Sequence, residues 1–257
     1  MQGLLKIILS GCNGYMGRVV TQLVDNDPAA TIVAGVDVNT QKLSDYPVFA
    51  HPEDISGGSG LSADVLIDFS LPAAVNGLLE FGISNKIPLI LCATGYSQTQ
   101  ISDIEKASGQ VAVFRSGNMS LGINLLADLI KRACAVLGED FDVEIIERHH
   151  RRKVDAPSGT ALLLADAASA ALPYEAEYVY ERSSRCRPRN KNEIGISAVR
   201  GGTIVGAHDV IFAGQDEVIE LRHTAASRDV FASGALRAAR FIIGRPAGMY
   251  SMTDVLA

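Results

Sequence analysis

Arg148-His149-His150-Arg151-Arg152-Lys153 puts four cations and two imidazoles into six consecutive residues, and Val154-Asp155-Ala156-Pro157-Ser158-Gly159-Thr160 follows at once. The Pro-Ser-Gly-Thr run precedes an alanine-rich stretch and reads as a helix start. There a capping hydroxyl and backbone N–H groups without intrahelical partners attract negative charge. A basic run alone is usually a solvated face. Beside a helix start it becomes a site suited to a small polyanion. Histidine adds a proton donor near neutral pH, and the neighbouring cations are expected to lower its pKa until a bound anion restores it.

A second anion site is encoded near the start of the chain. Gly11-Cys12-Asn13-Gly14-Tyr15-Met16-Gly17 is a GxxGxxG loop lying between a β-rich run and a helical pattern. Glycines in that context let the backbone turn tightly and approach a pyrophosphate at the helix N-terminus. Asp37 lies 20 positions past Gly17, at the end of the second predicted strand, where a ribose hydroxyl needs an acceptor. No P-loop lysine follows the glycines, so a dinucleotide is expected and not ATP. A carboxylate accepts the 2′-OH of NAD and repels the 2′-phosphate of NADP. Val38 cannot clamp that phosphate, and Lys42 reads as a solvated loop residue, so NADH is expected to serve at least as well as NADPH.

The rest of the chain must hold these two sites. Its 257 residues suit one large domain or two modest ones, and 47% hydrophobic with 20% charged residues describes a folded globular protein. With 23 Lys+Arg against 29 Asp+Glu the formal charge is −6, which leaves no delocalised positive field for nucleic acid. Cys12, Cys92, Cys134 and Cys186 are scattered singly, as expected in the reducing cytoplasm. Neither a signal peptide nor an 18-residue apolar run is legible, so no membrane partner is expected. No HExxH or cysteine cluster supports a metal site. A YxxxK pair and a GxSxG elbow are also missing, which disfavours a short-chain dehydrogenase and a serine hydrolase.

The first half alternates short apolar runs with helical patterns, as parallel strands joined by crossover helices do. Strands are predicted at Leu5–Ser10, Thr31–Val38, Asp64–Phe69, Pro88–Ala93 and Val111–Phe114, and helices at Tyr15–Asp25, Pro72–Asn85 and Gln98–Ser108. After about residue 120 the pattern changes to a helix at Ile123–Leu137, a strand at Val143–Glu147, a helix at Thr160–Leu172 and a polar loop at Ser183–Glu193. Three runs, Ile194–Arg200, Thr203–Phe212 and Val218–Thr224, read as antiparallel, and Val230–Ile243 as a helix. This predicts an α/β Rossmann-type, doubly wound parallel sheet with a second α+β domain.

The segment from Glu147 to Ala161, the glycine loop, Leu91-Cys92-Ala93-Thr94-Gly95, Ser116-Gly117-Asn118-Met119-Ser120 and the Val199-Arg200-Gly201-Gly202 turn together resemble the 4-hydroxy-tetrahydrodipicolinate (dihydrodipicolinate) reductase family. The HHxxKxDxPSGTA pattern is highly specific, and the resemblance spans nearly the whole chain. It implies a dinucleotide-binding Rossmann domain from residues 1–120 plus 230–257. It also implies an inserted substrate-binding and oligomerisation domain from 121–229, whose open mixed sheet assembles a homotetramer. The implied reaction is NAD(P)H-dependent reduction of a cyclic dicarboxylate to tetrahydrodipicolinate, in diaminopimelate and lysine biosynthesis.

By position in the family pattern, His149 matches the general acid and Lys153 the catalytic cation. His150, Ser158, Gly159 and Thr160 match the groups that bind the substrate carboxylates. Gly11, Asn13, Gly14, Tyr15, Met16, Gly17 and Asp37 match the cofactor loop; Ala93, Thr94 and Gly95 match the loop at the nicotinamide ribose, and Ser116, Asn118 and Met119 the segment flanking the nicotinamide. The chain departs from relatives at Ala93, where a second threonine is usual, at Val38, where several carry arginine, and at Arg152, which replaces a histidine. Another oxidoreductase on this fold would explain the glycine loop but gives no reason for His-His-Arg-Arg-Lys beside Pro-Ser-Gly-Thr.

Overall fold

The computed structural model describes residues 3–55, 62–183 and 185–257. They form two compact units, one from the described residues up to Ser120 together with Asp229–Ala257, the other from Leu121–Arg228. The first unit opens with β1 (Leu5–Ser10), α1 (Tyr15–Asp25), β2 (Ala30–Val36), β3 (Val48–Phe49) and β4 (Val65–Asp68). It continues through α2 (Val75–Asn85), β5 (Leu89–Leu91), α3 (Gln98–Ser108) and β6 (Ala112–Arg115). The second unit contributes α4 (Leu121–Leu137), β7 (Asp142–His149), α5 (Gly159–Ser169), β8 (Glu177–Val179), β9 (Glu193–Arg200), β10 (Gly206–Ala213) and β11 (Val218–Ala225). The chain then returns to the first unit through α6 (Asp229–Ile242), β12 (Gly248–Tyr250) and α7 (Met252–Leu256).

In the first unit seven strands lie in the order β12-β6-β5-β4-β1-β2-β3, and every pairing is parallel. Ile7, Leu9, Val65, Ile67, Leu89 and Leu91 are fully buried, because helices cover both faces of a parallel sheet. That is why these strands read as continuous apolar runs. α1 shows the complementary pattern: Gly17, Val20, Thr21 and Val24 are buried along one face and the rest meets solvent. The order reverses between β1 and β4, so a crevice opens at their carboxyl ends.

The second unit packs α4 and α5 on one face of a mixed sheet ordered β11-β10-β7-β9-β8. Its core joins Ile123, Leu126 and Ile130 of α4, Ala161, Leu164 and Ala168 of α5, and Val143, Ile145, Ile194, Ile196, Val210 and Phe212 of the strands. Along β7 burial alternates residue by residue, so Val143, Ile145, Glu147 and His149 point to the helix side. The loop before β9 is pinned by Arg187, whose Nη2 donates to Oε1 of the buried Glu193 at 2.7 Å.

The structure departs from the sequence expectation in three respects. Ile194–Arg200 does not pair with the run after it: β7 lies between them, parallel to β9 and antiparallel to β10. The Gly201-Gly202 turn instead bonds to the end of β7, with Gly201 N–H donating to His149 O at 2.9 Å. Pro72–Ala74 is a 3-10 turn and α2 proper starts at Val75. β3, β8 and β12, two or three residues each, escaped periodicity altogether.

Gly234 in α6 shows how closely the first unit is packed. A Cβ there would fall 1.7 Å from Met119 O, a backbone atom that cannot swing aside. Gly234→Ala should therefore cost about 1–3 kcal/mol in thermal or urea unfolding; an unchanged melting temperature would show that α6 can retreat from residue 119.

Candidate active site

In the first unit the glycine loop joins β1 to α1. Gly11 adopts φ +74°, and a Cβ on it would lie 2.7 Å from the backbone carbon of Phe69 after β4. At Gly17 a Cβ would be 2.1 Å from Gly11 O, so α1 can begin against the loop only because this residue is glycine. Gly14 is the N-cap residue, and no acidic side chain occupies the first turn of α1. Asp37 closes the arrangement: Oδ2 accepts from Asn13 N–H and Oδ1 from Asn39 N–H, both at 2.9 Å. The Asn13 side chain donates to Asn39 O and Gln41 O at 2.6 and 2.9 Å, clasping the loop after β2 to the glycine loop.

A cleft of about 620 Å³ runs from Gly11, Gly14 and Asp37 past Val38 and His51 to Phe69 and Gly77. Among the described residues, no lysine or arginine lines it. Tyr15 is exposed and Met16 half-buried at the start of α1. Ala93, Thr94 and Gly95, the last at φ +84°, follow β5, while Ser116, Asn118 and Met119 follow β6. They stand at the carboxyl ends of neighbouring strands but do not line the cleft. Ser116 Oγ donates to Asn118 O at 2.9 Å, and Asn118 Oδ1 accepts from Ser120 N–H at 2.8 Å, which fixes that turn.

In the second unit the helix-facing side of the sheet turns from apolar to polar two residues beyond Ile145. Glu147 stands opposite His208 of β10, which stands opposite His223 of β11. One row further, His149 stands opposite Arg200 of β9. Glu147 is wholly inaccessible to solvent and receives four hydrogen bonds. Its Oε2 lies 2.7 Å from His149 Nδ1 and accepts from Arg200 Nη1 at 2.7 Å. Its Oε1 accepts from Arg200 Nη2 at 2.7 Å and from Ser158 N–H at 3.0 Å. Arg200 Nη2 also donates to Asp155 O at 2.6 Å.

Ser158 caps α5 by accepting from Ala161 N–H, and the same Oγ lies 3.2 Å from His208 Nε2. Both its polar groups are therefore committed internally, and the outer part of this helix start is Gly159, which is exposed, and Thr160, which is half-buried. The His149 and His208 rings meet edge to face with centroids 5.2 Å apart. Lys153 Nζ pairs with Asp155 Oδ2 at 2.9 Å, and Nδ1 of His150 is buried with no partner. His149, His150, Lys153, Ser158, Gly159 and Thr160 thus surround one end of one sheet. Glu147, Arg200, His208 and Gly206 complete the cluster; a Cβ on Gly206 would lie 3.1 Å from His149 Nε2. Alternation along β7 could have flagged Glu147, two residues before His149. Arg200 belongs to the Val199–Gly202 turn that shares the family pattern, but nothing one-dimensional marks its pairing with Glu147, and nothing marks His208.

Burial works to raise the Glu147 pKa, yet the Arg200 guanidinium and His149 outweigh it and hold the carboxylate below its ordinary value. His149 is lowered, chiefly by burial; Glu147 opposes this, while Lys153 and Arg200 add to it. Loss of solvent, rather than the cation cluster alone, is thus the main cause of the shift anticipated from sequence. For His208 burial is again the largest cause, with His149 next, and its pKa falls from 6.5 to about 4.

The unfolded chain consequently protonates His208 first as pH falls. Its contribution to stability is complete above about 6.5 and is lost as pH falls toward 4, a change of about 3 kcal/mol. Urea midpoints measured across this range should fall more steeply for the native chain than for His208→Gln; equal slopes would contradict the assignment.

Comparison with known proteins agrees with this architecture. Residues 5–119 match the family model for dihydrodipicolinate reductase, N-terminus, and residues 122–256 that for dihydrodipicolinate reductase, C-terminus. The chain is 50% identical over 253 residues to 4-hydroxy-tetrahydrodipicolinate reductase of Caldanaerobacter subterraneus subsp. tengcongensis, covering 98% of each. It is 51% identical over 255 residues to that of Clostridium perfringens, again covering 98% of each. Dipicolinate-bound dihydrodipicolinate reductase from Paenisporosarcina sp. TG-14 is similar in structure, with a TM-score of 0.81 at 23% identity over 96% of this chain and 97% of that one. A myo-inositol dehydrogenase from Corynebacterium glutamicum reaches 0.58 at 15% identity over 95% and 90%, a likeness of fold. With both of its parts matched in order along nearly its whole length, this chain belongs to the dihydrodipicolinate reductase family.

Proposed function

We propose that the chain reduces 4-hydroxy-tetrahydrodipicolinate or dihydrodipicolinate to tetrahydrodipicolinate in diaminopimelate and lysine synthesis. The observation that carries this reading is the buried Glu147–His149 pair set beside Lys153 and the start of α5. Family membership supports the substrate class, as does the dipicolinate named in the solved relative.

The first unit fits a dinucleotide. Side chains at Gly11 and Gly17 would fill the space where the loop closes on its neighbours, and the adjoining cleft is large enough for a nucleoside. Gly11, Asn13, Gly14, Tyr15, Met16 and Gly17 would hold the pyrophosphate and Asp37 the ribose, with Ala93, Thr94, Gly95, Ser116, Asn118 and Met119 toward the nicotinamide. When bound, reduced NAD(P)H supplies the hydride. Asp37 and Val38 line the cleft, and a carboxylate there favours a free 2′-OH over a 2′-phosphate, so NADH serves at least as well as NADPH.

In the second unit, Gly159 and Thr160 at the helix start, with His150, hold the substrate carboxylates, and Ser158 braces that turn from within. Hydride addition to a C=C–C=N system pushes an electron pair toward nitrogen and the intervening carbon. His149 delivers the balancing proton, and the Lys153 ammonium stabilises the developing charge or donates the proton itself. The four cysteines are unpaired, which supports a reducing cytoplasmic setting. A homotetramer is supported by the second sheet, whose two helices cover only one face and leave Val199 and Val218 exposed on the other.

The test is a coupled assay in which substrate is made enzymatically and oxidation of each reduced nucleotide is followed. Nucleotide oxidation should depend on the diacid. His149→Gln should lower kcat by about 10²- to 10⁴-fold with little change in KM, and Thr160→Ala should chiefly raise KM. Near-full turnover by His149→Gln would remove the acid assignment, and a tenfold preference for NADPH would overturn the cofactor reading.

A further inference from the structure

Glu147 is the most heavily engaged polar group at this end of the sheet, yet it has no part in the roles above. A buried carboxylate is costly unless its charge is matched and its lone pairs are filled. Arg200 matches the charge with a two-pronged contact, and that pair alone would serve as a structural cross-link between β7 and β9. The other two bonds go elsewhere. One oxygen meets Nδ1 of His149, and the other takes the N–H of Ser158 at the start of α5.

Each contact has a chemical consequence. A ring nitrogen facing an ionised carboxylate carries a proton, which leaves Nε2 as the atom that exchanges protons with anything outside. Nε2 is also the nitrogen beside Gly206, the residue whose missing side chain keeps that position clear. The groups facing His149 are Glu147 from its own strand, Lys153 from the following turn, Arg200 from β9 and His208 from β10, with His223 behind His208. Of these only Glu147 is anionic, so it alone counters burial and the neighbouring cations. Because Arg200 shares the carboxylate, Glu147 orients the imidazole without trapping its proton.

We propose that Glu147 is the positioning residue of this site: one oxygen fixes which nitrogen of His149 delivers the proton, and the other fixes the first turn of α5 relative to that nitrogen, with Arg200 holding the carboxylate in place. The proposal rests on the reading of His149 as the acid.

Glu147→Gln separates the two functions, because the amide keeps an oxygen for Ser158 N–H but presents an N–H to His149 Nδ1. Assayed as the full chain with NADH, the variant should lose about 10- to 100-fold in kcat, less than His149→Gln, with little change in KM. The alkaline limb of its kcat profile should move to lower pH, since the one anionic neighbour of His149 is gone. NADH binding by fluorescence, a property of the other unit, should stay at the native level. Nitrogen-15 NMR of histidines in the native chain, read above the His149 titration, should place the neutral ring's proton on Nδ1 and leave Nε2 bare. That spectrum decides the matter even if the variant fails to fold.

A native ring with its proton on Nε2 would overturn the proposal, as would a variant with unchanged kcat and pH profile. If His149→Gln itself keeps its turnover, the functional reading fails. If His149→Gln loses activity while Glu147→Gln does not, only the role of Glu147 fails.

Discussion

The second unit is organised around a negative charge that has no access to water. Glu147 sits where the apolar underside of the sheet ends, and Arg200, Ser158 N–H and His149 supply the contacts that solvent would otherwise provide. Removing any one of them leaves a buried acceptor or charge short of partners, at a cost of about 1–3 kcal/mol for a neutral contact and more for a charged one. The constraint couples three pieces of chain distant in sequence: the end of β7, the start of α5 and the end of β9. The same geometry that stabilises the carboxylate brings an imidazole, an ammonium and a helix start together.

The two units solve related problems by different means. In the first, the proposed anion site is made by subtraction: glycines at 11 and 17 let the backbone come close, and Asp37 and Asn13 clasp the loops on either side. In the second it is made by addition, with cations and imidazoles set around a capped helix start. Both place a helix N-terminus at the carboxyl end of a strand, where partial positive charge is available without a formal cation. On the proposed reading, a net charge of −6 is compatible with two anionic ligands because each would be held locally.

What could be read in the sequence follows from how far apart the interacting residues lie. β1, α1, β5 and α3 announced themselves because burial on both faces, or along one helical stripe, leaves a local periodicity. The glycine loop and the basic segment were legible because their chemistry is contiguous. The order of the second sheet was not: β9 and β10 flank a two-glycine turn and look like a hairpin, but β7, from some fifty residues earlier, separates them. β7 carries the central apolar row and is stabilised on both edges, so it takes the middle. For the same reason His208, and the partnership of Arg200 with Glu147, stayed hidden, since their proximity to Glu147 is fixed by strand register across more than fifty residues. The depressed His149 pKa was anticipated in direction, though burial, which no spacing reveals, is its larger cause.

Diacid binding and proton delivery are, on this account, a single electrostatic event: an anion entering beside His149 must raise its proton affinity. Calorimetry of pyridine-2,6-dicarboxylate binding, at about pH 6.5 in buffers of different ionisation enthalpy, measures the protons taken up. The account predicts net uptake by the native chain and its disappearance in His149→Gln. Binding with no proton uptake, or with equal uptake in both, would contradict it.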